Sequence, residues 1–274
     1  MVATDAPALA FDRITCRFAG RDGGLPYTAV SDATLAVGRG EFVSVVGPTG
    51  CGKSTLLNVA AGLLSPSSGT ISVFGERLVA ANGVNRRAGY MFQADALMPW
   101  RTGIDNVIAG LEFRGTPRAE SVQQGEEWLR RVGLAGFGDR YPHQMSGGMR
   151  KRLALAQTLI LSPDILLMDE PFSALDVQTR QLMENELLAL WAEDRKSVLF
   201  ITHDLEEAIA LSDRVVVLSA GPGTHPIGDF RIDLPRPRDV SEIRMTPAFL
   251  DLHRVIWAAM KEEVLKAYHA QKAA

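Results

Sequence analysis

The run Gly47-Pro48-Thr49-Gly50-Cys51-Gly52-Lys53-Ser54-Thr55 contains the spacing G-x-x-x-x-G-K-[ST]. Glycines at these positions let successive backbone N–H groups turn toward one anion without side-chain interference, and a helix starting here adds its positive end. In that arrangement Lys53 supplies a point charge to outer phosphates and the Ser54 hydroxyl is a ligand for Mg²⁺. Cys51 reads as a small loop residue rather than a nucleophile, because the loop's task is binding. An acidic pair, Asp169-Glu170, ends the apolar run Ile165 to Met168 and precedes the helix breaker Pro171. At the C-terminal edge of a strand, where α/β sheets bind ligands, Asp169 can join a Mg²⁺ shell while Glu170 takes a proton from an attacking water. Alone, the pair is equally a solvated acidic turn; beside a phosphate loop the chemical reading is the stronger.

Both groups need a parallel sheet to hold them. Phe42-Val43-Ser44-Val45-Val46, β-branched and immediately before the glycine loop, predicts a buried strand. A helical pattern over Leu56 to Leu64 stops at Ser65-Pro66-Ser67-Ser68-Gly69, and Thr70 to Phe74 predicts another strand. Helical signals dominate residues 94–162, with breaks at Gly115-Thr116-Pro117 and Tyr141-Pro142. Strand character returns at Ile165 to Met168, Val198 to Ile201 and Val215 to Leu218, with helices predicted between them, so the sheet is parallel. Residues 221–238 read as loop-rich, with no strand predicted among them. A closing amphipathic helix from about Pro247 to Ala270 gathers Phe249, Leu252, Ile256 and Met260 on one side, a face predicted to pack on its own domain rather than on a membrane surface.

The chain of 274 residues suits one large domain or two small ones, and 46% hydrophobic with 22% charged residues excludes disordered and fibrous classes. A net charge of -3 provides no bulk basic field for nucleic acid or anionic lipid. Two cysteines, Cys16 and Cys51, without CxxC spacing, fit a reducing compartment. No apolar run reaches the roughly 20 residues that cross a bilayer, and the opening MVATDAPALAFDR lacks a basic n-region followed by an apolar h-region. A cytosolic location is expected. No internal repeat is found.

Ser146-Gly147-Gly148 opens the helical stretch Met149 to Leu161. By itself it reads as a Ser N-cap, or as a second anion-competent helix start. Together with the other motifs it makes the sequence resemble the ATP-binding subunits of ABC transporters. In the family's order stand GPTGCGKST as Walker A, Gln93 as the Q-loop glutamine, Met145-Ser146-Gly147-Gly148-Met149 as signature and Ile165 to Glu170 as Walker B. Ser173-Ala-Leu-Asp176 matches the D-loop and His203 the switch histidine, which without the family is an ordinary loop histidine. Met145 stands where leucine is usual and Met149 where glutamine is usual; the Ser-Gly-Gly donors remain.

The resemblance implies an α/β P-loop NTPase core with a parallel sheet, an antiparallel β portion near the N-terminus and an inserted helical subdomain. The ATP-binding domain would span residues 9–230, with the subdomain at about 94–162 and a C-terminal extension at 231–274. It implies ATP and Mg²⁺ as ligands. ATP would be held by residues 47–55, by Ser146, Gly147, Gly148 and Asp176, and by an aromatic on adenine, either Phe18, closer to the family's pattern, or Tyr27. Ser54, Gln93 and Asp169 would surround the metal, and Glu170, His203 and Gln93 would serve hydrolysis. Two copies would face head to tail, the signature of one closing over the ATP of the other, an isologous C2 contact.

Glu41-Phe42, the stretch Met91-Phe92-Gln93 to Pro99-Trp100, and Leu234-Pro-Arg-Pro-Arg238 look like importers of the nitrate, sulfonate and taurine type. The implied partners are a second copy, an integral membrane permease and, indirectly, a solute-binding protein, with the chain on the cytoplasmic face of the membrane. Leu97, Met98 and Trp100 would form the surface that receives a permease helix. The alternative is a soluble ATPase of the superfamily acting on nucleic acid or ribosomes. No coiled-coil heptads lie between Gln93 and Ser146, and there is one P-loop, which favours the importer and no nucleic-acid partner.

Overall fold

The computed structural model describes residues 6–20, 26–78 and 84–273; residues 1–5, which open the segment read for a leader, lie outside them. Two long strands, β1 (Leu9–Phe18) and β2 (Tyr27–Val37), pair antiparallel. β3 (Phe42–Val46) is buried at every position, as a strand covered on both faces must be. After α1 (Lys53–Ala60), β4 (Ser68–Val73) and the short β5 (Glu76–Arg77) extend the antiparallel sheet. β6 (Ala88–Met91) leads into α2 (Gly103–Phe113), α3 (Arg118–Arg131), a 3-10 turn at Pro142–Gln144 and α4 (Gly147–Leu159). Strands and helices then alternate: β7 (Ile165–Asp169), α5 (Val177–Asp194), β8 (Ser197–Ile201), α6 (Leu205–Leu211) and β9 (Arg214–Leu218). β10 (Pro226–Arg231), α7 (Val240–Ile243) and α8 (Pro247–Ala273) complete the chain.

The first sheet runs β2-β1-β4-β5, and the second, six-stranded, runs β10-β9-β3-β8-β7-β6, parallel except at β10. Alternation along β3 feeds two cores. Phe42 and Val46 join the cluster under α4, α5, α6 and α8, whereas Val43 and Val45 join the one beneath α1 and the antiparallel sheet. The Phe42 ring meets Trp191 edge-on at 5.8 Å between centroids. A third cluster, with Ile108, Leu129 and Leu153, holds α2, α3 and α4 together. Gly125 permits that packing, since a Cβ there would lie 2.5 Å from Ile108 Cγ2.

Three expectations change. The segment read as loop-rich contains β10, whose Pro226 and Gly228 are breakers that an edge strand tolerates; its residues alternate half-buried and exposed. α1 ends at Ala60, and Leu63 and Leu64 close a turn by donating to the Asn58 carbonyl. Leu97 is half-buried and packs against both the α5–α6 core and the α2–α4 core, so it is a packing residue rather than part of an open surface. The closing helix behaves as predicted: Phe249, Ile256 and Met260 are buried and Leu252 packs beside them.

Buried acids lie between α5 and α6. Burial raises Glu207, 4% exposed, to about 8 and Glu184 to about 7; Arg244, 3.1 Å from Glu184 Oε2, pulls the latter down. Glu207 Oε1 has no hydrogen-bond partner among the described residues. An unfolded glutamate ionises near 4.5, so from there upward the folded chain retains a proton that the unfolded chain has released. Stability therefore falls as pH rises from about 4.5 toward 8, and the penalty is complete above that. Glu207→Gln is expected to gain on the order of 1–2 kcal/mol over the wild type at alkaline pH and nothing at acid pH. Chemical unfolding on either side of neutrality checks this; an equal difference at both ends would show that ionisation of Glu207 is not the cause.

Candidate functional site

The glycine loop leaves β3 and enters α1. Gly52 caps the helix at φ 113 with no side-chain acceptor, so its first N–H groups are free to face an anion. Gly50, at φ 76, has nothing within 4 Å of the place a Cβ would occupy, leaving the loop's outer rim open. Gly47, Pro48 and Cys51 face inward, whereas Thr49 and Ser54 are exposed and Thr55 half-buried. Burial pushes the Cys51 thiol up, in keeping with a small inert loop residue. Lys53 is buried, its Nζ donating to the carbonyls of Gly47 at 2.9 Å and Pro48 at 3.0 Å.

Parallel pairing of β7 between β6 and β8 carries the acidic pair to this loop. Ser54 Oγ donates to Asp169 Oδ1 at 3.0 Å. Burial raises the Asp169 carboxyl, and the Ser54 hydrogen bond opposes that. Next along, Glu170 has φ 43, a left-handed conformation that a non-glycine residue adopts at a cost. Its N–H is fixed by the Ile201 carbonyl at 2.9 Å. Two side chains converge on Glu170 Oε2: His203 Nδ1 at 3.0 Å, from the end of β8, and Gln93 Nε2 at 3.4 Å, from the end of β6. Three strand ends thus place one carboxylate between an amide and an imidazole, beside the hydroxyl–carboxylate pair at the start of α1.

The remaining predicted residues form a second group. Ser146 caps α4, its Oγ accepting from Met149 N–H at 3.3 Å, which leaves the hydroxyl proton free to donate. A Cβ on Gly148 would lie 2.8 Å from Thr179 Cγ2, so the start of α4 abuts the start of α5, where Asp176 caps by accepting from Thr179 N–H at 3.0 Å. No hydrogen bond joins Ser146, Gly147, Gly148 or Asp176 to the phosphate-loop group among the described residues. Phe18, the last residue of β1, and Tyr27, the first of β2, sit opposite each other, both exposed.

Sequence reasoning missed two features here. The left-handed Glu170 has no local signal. Lys151 donates to the Gln93 carbonyl at 2.6 Å, and its spacing on α4 with Ala154, Leu155 and Thr158 was the available hint: a lysine in an otherwise buried stripe.

Comparison with known proteins follows the same outline. The ABC transporter family model matches residues 30–173. An uncharacterised ABC transporter ATP-binding protein of Methanocaldococcus jannaschii is 47% identical over 240 residues, 87% of this chain and 86% of its own. The taurine import ATP-binding protein TauB of Pelagibacter ubique is 40% identical over 247 residues, 86% of this chain and 90% of its own. The ATP-binding cassette MJ0796, solved as a dimer in a post-hydrolysis state with ADP and Pi, aligns with a TM-score of 0.71 at 29% identity, over 83% of this chain and 100% of its own. With the matched region running from within β2, through the phosphate loop, past the Asp169-Glu170 pair, the chain belongs to the ABC transporter family, as one of its ATPase subunits.

Proposed function

We propose that two copies of this chain bind ATP and Mg²⁺ head to tail, and that hydrolysis energises uptake of a small solute of the nitrate, sulfonate and taurine-like anion class through a separate permease. The observation that carries the hydrolytic part is the convergence of Gln93 and His203 on Glu170 Oε2, next to the Ser54–Asp169 pair. The loop N–H groups of residues 47–55 and Lys53 hold the phosphates, with Phe18 against the adenine. Ser54 and Asp169 fit Mg²⁺ as a hydroxyl and a carboxylate, the hard oxygen donors that this ion takes in small number beside phosphate and water. When bound, the ion would neutralise charge on the phosphate oxygens. Glu170 accepts the proton of the attacking water, His203 orients the carboxylate, and Gln93 reports on the metal and outer phosphate.

The separate grouping of Ser146, Gly147, Gly148 and Asp176 supports a C2 pair, in which each chain offers these donors to its partner's nucleotide. The likeness to a taurine import protein and to a dimeric cassette supports the importer and the pairing. No helix among the described residues is long and apolar enough to cross a membrane. In this reading the permease is a separate chain, fed by a solute-binding protein, and this subunit docks on the cytoplasmic face. A groove of about 290 Å³ between α2, α4 and β6, lined by Tyr90, Phe92, Ala96, Met98, Phe113 and Leu161, is the docking site. Phe113, in the lining, is 76% exposed, and Trp100, two residues past the lining residue Met98, is 74% exposed. Trp100→Glu with Phe113→Ser is therefore expected to leave stability within about 0.5 kcal/mol per site and basal hydrolysis intact, while co-purification with the permease and ATP-driven uptake are lost. Normal assembly and uptake by that variant would remove the groove from the mechanism.

A further inference from the structure

Lys151 is 2% exposed on α4, among apolar core residues. Burying an ammonium is costly unless it is paired and hydrogen-bonded, so its partners are the reason it can stand there. Its Nζ donates to the backbone carbonyl of Gln93 at 2.6 Å and lies 3.1 Å from Asp95 Oδ1. The other Asp95 oxygen accepts from Arg150 Nε at 2.8 Å, and Arg150 Nη1 donates to the Met145 carbonyl at 2.8 Å. A continuous series of three hydrogen bonds and one ion pair, that between Lys151 and Asp95, thus runs from Gln93 through Lys151, Asp95 and Arg150 to the residue before Ser146. One end touches Glu170 through the Gln93 amide; the other sets the turn that opens α4.

We propose that Lys151 is a positioning residue for ATP hydrolysis. It holds the Gln93 backbone so that the side chain reaches Glu170, and it ties that placement to the Met145–Ser146 turn, so that the chain's own site and the half-site it offers a second copy shift together. The inference rests on the reading that Gln93 and Ser146 serve hydrolysis. A purely structural ion pair would need only another side chain; Lys151 instead grips the main chain of a residue in the site.

The test is steady-state ATPase kinetics on the full chain. Lys151→Met is expected to lower kcat about tenfold while KM for Mg-ATP stays within about twofold, because the phosphate loop is untouched. Lys151→Arg, which keeps a charged donor, should recover most of the rate. In a Gln93→Ala background, Lys151→Met should cost less than about twofold more, since both act through one group. Full additivity, a raised KM at unchanged kcat, or wild-type turnover in Lys151→Met overturns the proposal. If Lys151→Met melts below the assay temperature, Asp95→Asn decides by breaking the series at its half-exposed member: a lower kcat at unchanged KM supports the proposal, and a wild-type kcat overturns it. Full turnover in Gln93→Ala overturns the underlying reading and the inference together. A loss in Gln93→Ala beside wild-type Lys151→Met overturns the inference alone.

Discussion

Glu170→Gln is expected to cut ATP turnover by about 10²–10⁴-fold while leaving nucleotide binding intact. Glutamine matches glutamate in size and keeps an oxygen that can face His203 Nδ1, now 3.0 Å from the carboxylate, so the surrounding geometry should persist. What is lost is the proton acceptor. Two chains would then remain closed around uncleaved Mg-ATP, and size-exclusion chromatography should show a dimer that appears with Mg-ATP and disperses without it. Normal turnover in the variant would mean that another base operates and that the strained placement of Glu170, at φ 43, serves something else.

Lys53→Ala is expected to lose hydrolysis by at least about 10²-fold, through loss of the charge directed at the outer phosphates. Because Lys53 is buried and holds the carbonyls of Gly47 and Pro48, a thermal unfolding curve must accompany the assay to separate loop collapse from lost catalysis. The expected outcome is a melting temperature close to that of the wild type with turnover and ATP binding both gone. Wild-type hydrolysis in a pure preparation would end the assignment of this loop as the phosphate site.

Features set by short-range chemistry are legible in the residues alone. The strand Phe42 to Val46, the glycine loop and the acidic end of β7 each carry their signal within a few residues, because turn geometry and burial on both faces restrict composition locally. Where the determinant is a long-range neighbour, the sequence misleads or leaves the matter open. β10 hides behind Pro226 and Gly228, since only its position at the sheet edge makes them tolerable. Leu97 looks like exposed docking surface because nothing local reveals two cores meeting beneath it. Phe113, exposed at the end of α2, escapes notice for the same reason: the groove beside it is made by α4 and β6, distant in sequence. The role of Ser146 needs a family resemblance, as a serine cap has one local appearance whatever it serves.

The strand order β10-β9-β3-β8-β7-β6 also fixes where the molecule can be handled. Five inter-strand steps at about 4.8 Å separate β10 from β6 by about 24 Å. α8 packs against α6, β9 and β10, whereas the groove borders β6. A fluorophore, an affinity handle or a surface tether attached to the outer side of α8 therefore sits at the opposite margin of the sheet from the groove. Immobilised in that way, the protein would present the groove to solution, which is the orientation that binding measurements on a sensor surface require.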